Sequence, residues 1–194
     1  GNAWLVQRLA APLAGRVHGG RVVRRVREGR HGVQVLAQHG DGFEAWAAGT
    51  VVLALPLFVA ARVLESPPDA LRQAAAATVY APWLVANLQL DKPLLDRPGL
   101  PSAWDSVPFT GPGSRTLGYV DAMHQSLRPH AGATVLTAYA ALPIADRQAL
   151  LDQPWQHWAQ HMLDELKPVH PDLPQRVQRI DLMRYGHAMA VPVP

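Results

Sequence analysis

Two histidines four residues apart have the most recognisable ligand spacing in this chain of 194 residues. His157 and His161 would share one face of a helix, which is the geometry of a paired metal ligand. A zinc protease also needs a glutamate between the two histidines, but the intervening residues are Trp, Ala and Gln, and the sequence suggests no third ligand nearby. A structural or surface role is therefore favoured over a metal site.

Two other patterns resemble catalytic or phosphate-binding signatures. Gly111-Pro112-Gly113 begins like a phosphate loop, yet Thr116 stands where the third glycine is needed, and the segment leads into a predicted strand. We interpret it as a turn. Asp105, Asp121 and His124 lie near predicted strand ends but lack the spacing of a catalytic triad, so the sequence leaves the catalytic residues unknown.

The C-terminal stretch 184–194, RYGHAMAVPVP, places aromatic residues, a histidine and prolines close together. A strand is predicted at 176–183, followed by irregular backbone at this end. We consider Tyr185 and His187 candidates for contacts with a substrate. The alternative is that Tyr185 is a core aromatic and His187 a surface residue.

Composition narrows the classes of protein. The chain is 48% hydrophobic and 17% charged, which is typical of a globular protein, and its net charge of +3 does not indicate a nucleic-acid binder. Five arginines within 21–30 predict a solvated strand surface, with an anion or nucleotide-phosphate contact as the alternative. Cysteine is absent, which excludes disulfides and thiolate metal sites. No apolar run reaches the roughly 18–20 residues that span a bilayer, so we expect a soluble protein, with the cytoplasm as the first expectation.

The periodicity of apolar residues predicts the elements that would position these candidates. In the first part we expect a helix over 3–14, a strand at 22–26, and a hairpin that turns at 39–42. The continuous apolar run Thr50–Pro56 predicts a fully buried strand, and 57–64 a helix.

Ser66-Pro67-Pro68 predicts a boundary, after which the pattern changes. A helix at 68–76 and a long strand at 78–90 follow, and Pro82 within that strand indicates an edge or a bulge. The remaining predicted elements are strands at 103–107, 116–122 and 133–140 and helices at 142–152 and 155–166. The fold class is therefore α+β: a β-meander, then a mostly antiparallel sheet with flanking helices.

The stretch 16–64 contains three segments in a characteristic order: Gly20–Val26, Gly32–Val35 and Gly49–Pro56. In this order they resemble the middle of flavin-containing amine oxidases and related FAD-dependent oxidoreductases. The resemblance implies that Val23 makes a backbone contact to the adenine end of FAD. It also implies that Ala54, Leu55 and Pro56 lead from the cofactor domain into the substrate domain.

The same resemblance implies a division into a partial FAD-binding domain at 1–65 and a substrate-binding domain at 66–194. It implies FAD as the cofactor of the full-length protein and hydride transfer from a small-molecule substrate, which an amine, an amino acid or a polyene could provide. The glycine-rich phosphate loop of the family is missing from these residues, so we expect an inactive fragment that does not bind FAD by itself. Its partners would then be the remaining parts of its own chain or a second copy, and a stand-alone binding module is the alternative.

Overall fold

The computed structural model describes residues 2–95, 103–108, 111, 114–125 and 131–192. The chain divides into two compact units, Gly1–Thr78 (unit 1) and Val79–Pro194 (unit 2). The compact units divide between Thr78 and Val79, whereas the predicted boundary between the FAD-binding and substrate-binding domains, between residues 65 and 66, stays a prediction.

Unit 1 is built around an antiparallel meander of three strands in the order β1-β2-β3. Its elements are α1 (Asn2–Ala10), β1 (Arg21–Gly29), β2 (Gly32–His39), β3 (Gly42–Ala48), α2 (Leu57–Val63) and α3 (Asp69–Ala77). The predicted helices and the predicted meander are confirmed. α1 passes into a single 3₁₀ turn at Ala11–Leu13, because Pro12 cannot continue the α-helical hydrogen bonds.

The prediction of a fully buried strand at Thr50–Pro56 is wrong. This run forms no strand, and Val52 within it is 86% exposed. A buried strand needs hydrogen-bonding neighbours, and near Val26 the outer edge of β1 is occupied by another segment. Leu64 forms a parallel bridge with Val26, and the Glu65 amide donates to the Val26 carbonyl at 2.9 Å.

Unit 2 is a five-stranded antiparallel sheet in the order β5-β6-β7-β4-β8, with helices inserted before the last strand. Its elements are β4 (Val79–Leu90), β5 (Asp105–Ser106), β6 (Thr116–Asp121), β7 (Thr134–Ala141), α4 (Arg147–Asp152), α5 (Trp155–Leu166), α6 (Leu173–Arg176) and β8 (Val177–Val191). The predicted α+β class and the antiparallel sheet are confirmed.

The irregular backbone predicted at the C-terminal end is also corrected. β8 continues through this region to Val191, because it pairs with β4 along nearly its whole length. Tyr185 pairs with Trp83 and Met189 with Ala81, so three residues of β8 lie opposite Pro82 alone. Of the two alternatives that Pro82 indicated, the bulge is confirmed and the edge strand is wrong, because β4 lies between β7 and β8.

The core of unit 2 lies on one face of the sheet. Burial alternates along β4, and Leu84, Ala86 and Leu88 are fully buried. Trp158 and Met162 of α5 belong to the same hydrophobic cluster. Since neighbouring strand residues point to opposite faces, the helices cover one face and leave the other to different contacts.

Candidate functional site

Val23 lies on an edge strand of the meander. It pairs with Ala37, whereas Arg25 pairs with Leu36, so Arg24 is an extra residue in a bulge directly after Val23. Val23 is 37% exposed. An edge strand presents backbone groups that its own sheet does not use, and a bulge loosens the pairing further. The backbone around Val23 is therefore accessible to a ligand.

Ala54, Leu55 and Pro56 form an exposed connection into α2. The Pro56 carbonyl accepts hydrogen bonds from the amides of Val59 and Ala60, both at 2.9 Å, and so begins the helix. The carbonyl of Pro56 is therefore already used in the first turn of α2. Ala54 and Leu55 leave more of their surface for other contacts.

The arginines of β1 mostly face acidic or amide side chains. Arg21 donates to Glu44 at 2.8 Å, and this hydrogen bond lowers the pKa of the Glu44 carboxyl below its usual range. Arg24 binds Gln38, and the nearest guanidinium nitrogens of Arg25 and Arg27 lie 3.7 and 3.6 Å from Glu65. This arrangement favours the solvated surface over a phosphate site.

Unit 1 also contains a cavity of about 320 Å³ beside the inner part of β1. Val26, Val33, Leu53 and Leu64 contribute apolar wall, and Glu65 contributes a carboxylate. The cavity therefore lies where β1, the extended run after β3 and the segment before α3 meet.

In unit 2 the side of the sheet opposite the hydrophobic cluster with α5 forms a second candidate surface, which we call the open face. It consists of alternate residues of β4, β7 and β8, none of them fully buried: Trp83, Val85, Asn87, Thr137, Tyr139, Asp181, Met183 and Tyr185. Register partners across antiparallel strands share a face, which places these side chains together.

One end of the open face is aromatic. The rings of Trp83 and Tyr139 lie with centroids 6.4 Å apart and planes inclined by 53°. Tyr185 is the register partner of Trp83 on the other side and is 48% exposed. Val85 and Met183 continue this end with apolar side chains. Such a surface suits an apolar or aromatic group of a ligand.

The other end of the open face is polar. The Thr137 hydroxyl donates to the Asn87 side-chain oxygen at 2.8 Å, and Gln89 donates to Asp181 at 3.2 Å. Asp181 also accepts from Arg179 at 2.7 Å. Asp181 lies four residues before Tyr185, about 13 Å along the strand, so this charge is distant from the aromatic end.

The structure places the two predicted substrate-side residues in different surroundings. Tyr185 belongs to the open face with Trp83, whereas the ring of His187 meets the ring of Tyr80 edge-on at 6.4 Å. Tyr80 and Trp83 are three residues apart on one strand and therefore point to opposite faces. The bulge separates the two candidates rather than bringing them together.

No motif or spacing in the sequence points to Trp83, Tyr139 or Arg147. Trp83 and Tyr139 lie in predicted strands, and the two-residue period of a strand, which places every second side chain on a second face, is the signal that could have found them. Arg147 donates from Nε to the Gly186 carbonyl at 2.8 Å and from Nη2 to the Tyr80 carbonyl. No sequence pattern reports such a contact, because it depends on how α4 lies against the sheet.

The paired histidines lie on α5, as predicted. His161 is partly buried, and its ring packs edge-on against Trp158 with centroids 5.7 Å apart. Burial lowers the pKa of His161 below its ordinary value and outweighs the opposing charge of Glu165. Within the described residues, no group of three His, Cys, Asp or Glu side chains could hold a metal ion.

Glu165 follows His161 by one helical turn. Burial opposes its ionisation, but the hydrogen bond from Ser114 and the neighbouring polar and charged groups together outweigh burial and lower its pKa. The Ser114 hydroxyl lies 2.6 Å from the carboxylate. This is a local polar contact between α5 and the start of β6. Pro112 and Gly113, part of the interpreted turn, lie outside the described residues.

The residues considered for a triad are also accounted for by local contacts. Asp121 accepts from the Met123 amide at 2.9 Å and from the Thr134 hydroxyl at 2.7 Å. His124 contacts the backbone carbonyl of Asp121 through Nδ1, and Asp105 is a β5 residue paired with Val120. The arrangement caps a loop and does not form a nucleophile–base pair.

Solved structures share this fold at low sequence identity. An engineered double mutant of putrescine oxidase is similar with a TM-score of 0.65 and 19% identity, covering 91% of this chain and 36% of its own. Cyclohexylamine oxidase from Brevibacterium oxydans IH-35A gives a TM-score of 0.57 and 16% identity, covering 84% and 33%. A fatty acid isomerase from P. acnes that produces CLA gives 0.50 and 14%, covering 86% and 35%. At these identities the likeness concerns the fold alone.

The fold is thus one that putrescine oxidase and cyclohexylamine oxidase contain, and the chain spans about a third of the length of these solved structures. The chain belongs to the family of flavin-containing amine oxidoreductases, whose family model matches residues 1–189. A search among curated proteins gave no match. None of the helices among the described residues has the length and apolar character needed to cross a membrane.

Proposed function

We propose that this chain acts within a longer FAD-dependent oxidoreductase, in which the open face of unit 2 receives the substrate and the edge of unit 1 contacts the adenine end of FAD. The observation that carries the proposal is the family match over residues 1–189. When bound, FAD accepts the hydride that the substrate loses. The roles of the residues below are to bind and orient.

The unit 1 residues fit the adenine end of the cofactor. Val23 is exposed on an edge strand and precedes a bulge, so its backbone can pair with the edge of a flat heterocycle. Ala54 and Leu55 offer exposed surface near the start of α2. A pyrophosphate needs a glycine-rich turn that opens a helix, and the sequence of this chain contains no GxGxxG motif. We therefore infer that FAD binding requires further residues.

The test is the visible spectrum after incubation with FAD and removal of the free cofactor. We expect the 194-residue chain to be colourless and a protein that also carries a dinucleotide-binding motif in the same reading frame to be yellow. Stoichiometric flavin on the 194-residue chain would contradict the account of the phosphate site. A reading frame without any such motif would instead favour a stand-alone binding module.

The chemistry of the open face supports a substrate with an apolar or aromatic part. Trp83, Tyr139 and Tyr185 surround this end, and the carboxylate of Asp181 lies well along the strand from it. An amine, an amino acid or a polyene could place its apolar part here. A panel of these three classes, assayed by flavin bleaching without oxygen, distinguishes them.

Two aromatic residues of similar exposure provide a matched pair for the substrate site. Tyr185 on the open face is 48% exposed and Trp155 at the start of α5 is 46% exposed. We expect Tyr185→Ala to raise the KM for the substrate found in the panel and Trp155→Ala to leave it unchanged. Equal effects of the two substitutions would place the substrate elsewhere.

A further inference from the structure

One guanidinium group holds both strands at the bulge. Arg147, the first residue of α4, donates from Nε to the Gly186 carbonyl of β8 at 2.8 Å and from Nη2 to the Tyr80 carbonyl of β4. Gly186 is the first of the three β8 residues that lie opposite Pro82, and Tyr80 precedes Pro82 by two residues. The two accepting carbonyls therefore lie on opposite sides of the irregular pairing.

The bulge has weak support from the sheet itself. Pro82 has no amide hydrogen, and its carbonyl points away from β8 and accepts from the Leu142 amide at 3.2 Å, so its backbone contributes no hydrogen bond to β8. The Arg147 side chain provides hydrogen bonds where the regular ladder is interrupted. It also packs closely, because a β-carbon on Gly186 would lie 3.8 Å from Arg147 Cγ and 3.6 Å from a Leu151 methyl.

A second arginine secures the same helix from the strand. Arg184 Nη1 lies 3.3, 3.2 and 3.0 Å from the carbonyls of Leu150, Leu151 and Gln153. These carbonyls lie at the C-terminal end of α4, where a helix leaves its carbonyls without internal partners. Both neighbours of Tyr185 therefore contact α4. Arg184 does so through its side chain, and the carbonyl of Gly186 accepts a hydrogen bond from Arg147 of α4.

We propose that Arg147 is a positioning residue that fixes the bulge and thereby orients Tyr185 on the open face and His187 against Tyr80. It acts through the backbone carbonyls of Gly186 and Tyr80 and has no direct contact with a ligand in this role. The inference rests on the proposed function in one respect only, namely that Tyr185 meets the substrate. The geometry of the bulge itself is independent of the flavin.

Fluorine NMR of the 194-residue chain labelled with 3-fluorotyrosine tests whether Arg147 fixes the bulge. The chain has four tyrosines, at 80, 119, 139 and 185, and Tyr119 is buried away from the bulge with its hydroxyl 2.6 Å from His170. We expect Arg147→Met to shift or split the Tyr80 and Tyr185 signals while the Tyr119 signal stays in place. Arg147→Lys keeps a donor, so smaller shifts of the same two signals are expected.

Arg179→Met is the matched control, because Arg179 lies on the same strand and its guanidinium binds the Asp181 carboxylate, away from the bulge. It should leave the Tyr80 and Tyr185 signals unchanged. Unchanged signals in both Arg147 variants would overturn the inference, and so would shifts of all four tyrosines together in Arg147→Lys. If Arg147→Met does not fold, the signals of Arg147→Lys alone decide the test.

A second measurement connects the Arg147 contacts to the reaction in the flavin-loaded protein. We expect Arg147→Met to lower kcat/KM roughly ten- to a hundredfold, the scale on which a small misplacement affects catalysis. Combining it with Tyr185→Ala should add little to the loss from either change, since both act on the same side chain. Fully additive losses would overturn the positioning role. If the longer protein does not take up flavin, the proposed function is wrong, whereas the NMR test of Arg147 remains valid because it does not depend on flavin.

Discussion

The two units contain antiparallel sheets of similar construction but differ in what covers them. In unit 2 one face of the sheet lies under helices, and Leu84, Leu88 and Leu136 are almost completely inaccessible. In unit 1 the buried apolar residues are few among the described positions: Val26, Ala37, Ala60 and Val63. The same kind of sheet therefore forms a core of its own only where an amphipathic helix packs on it.

The apolar residues of unit 1 are largely at its surface instead. Trp4, Leu9, Phe43 and Val52 are all exposed. Large apolar side chains that a unit leaves exposed are available for packing against another part of a protein. We therefore expect unit 1 to depend on contacts with further segments of the proposed flavoprotein, and unit 2 to be stable by its own core.

The largest test of this difference removes one apolar side chain from each unit. Leu88→Ala deletes a fully buried side chain of unit 2, and we expect the free energy of unfolding to fall by about 2–5 kcal/mol. Val52→Ala in unit 1 changes an 86% exposed residue and should stay within about 0.5 kcal/mol of the parent. Urea unfolding measures both. Similar losses from the two substitutions would mean that unit 1 has a core that the comparison misses.

Two glycines provide a second test, in which the backbone and not the core is perturbed. Gly118 in unit 2 has φ +126°, and an added β-carbon would lie 2.2 Å from the Ser106 carbonyl oxygen. Gly32 in unit 1 has φ +137°, with the Ala48 carbonyl oxygen 2.6 Å away. Alanine at either position is strained, at a typical cost of about 1–3 kcal/mol.

We expect Gly118→Ala to cost more than Gly32→Ala, because the less densely packed unit 1 can shift its backbone more easily. Gly49→Ala, where the added carbon meets nothing within 4 Å, is the control and should change stability little. Thermal unfolding followed by circular dichroism compares the three variants. A larger loss at Gly32 would reverse the order of rigidity assigned to the units.

The sequence predicted the elements of both units better than it predicted their surroundings. The alternation in β4 and the helical spacing in α5 are local signals, and both elements form as expected. The run Thr50–Pro56 has the composition of a buried strand, but burial depends on neighbours that a local pattern cannot specify. This run was therefore wrongly predicted to be a strand, although its apolar composition is typical of one.

The candidate site shows the same limit. Tyr185 and His187 look alike as neighbours in a sequence, yet the bulge opposite Pro82 sends them to different surroundings. Pro82 predicted either an edge strand or a bulge, because proline cannot donate to the ladder. The size of the bulge and the contact from Arg147 depend on tertiary packing, which no spacing in the sequence encodes.

A smaller effect concerns pH and unit 2. Burial lowers the pKa of His161 in the folded chain, so the folded state binds its proton less readily than the unfolded state. The neutral imidazole is accommodated above the unfolded value of about 6.5, and stability should fall as the pH drops through that value toward the folded pKa. The charges nearest to it belong to Glu165, Arg115, His157 and Asp164.

His161→Gln should remove part of this acid destabilisation, and His157→Gln, which replaces a neighbouring histidine on the same helix, should remove less. Urea midpoints measured between pH 7.5 and 5 provide the comparison, with the range taken to bracket an ordinary histidine pKa of about 6.5. An unchanged pH profile in His161→Gln would show that other groups account for the acid sensitivity of unit 2.

The smallest expected effect is in unit 1, at the ion pair between Arg21 and Glu44. The hydrogen bond from Arg21 lowers the pKa of Glu44, so the pair contributes above the unfolded pKa of the carboxyl and is lost as the pH falls through the folded value. Arg21→Gln should raise the Glu44 pKa toward its ordinary value, as a carboxyl carbon titration by NMR would detect. Arg24→Gln, which removes a guanidinium bound to Gln38 instead, should not. Salt should weaken the difference, because this pair lies at the surface, where mobile ions screen charges. Arg21→Gln should change the pH dependence of unfolding less than His161→Gln does. If the two changes were equal, an ion pair in unit 1 would affect stability as strongly as a partly buried group in unit 2, and the contrast between the two units would be wrong.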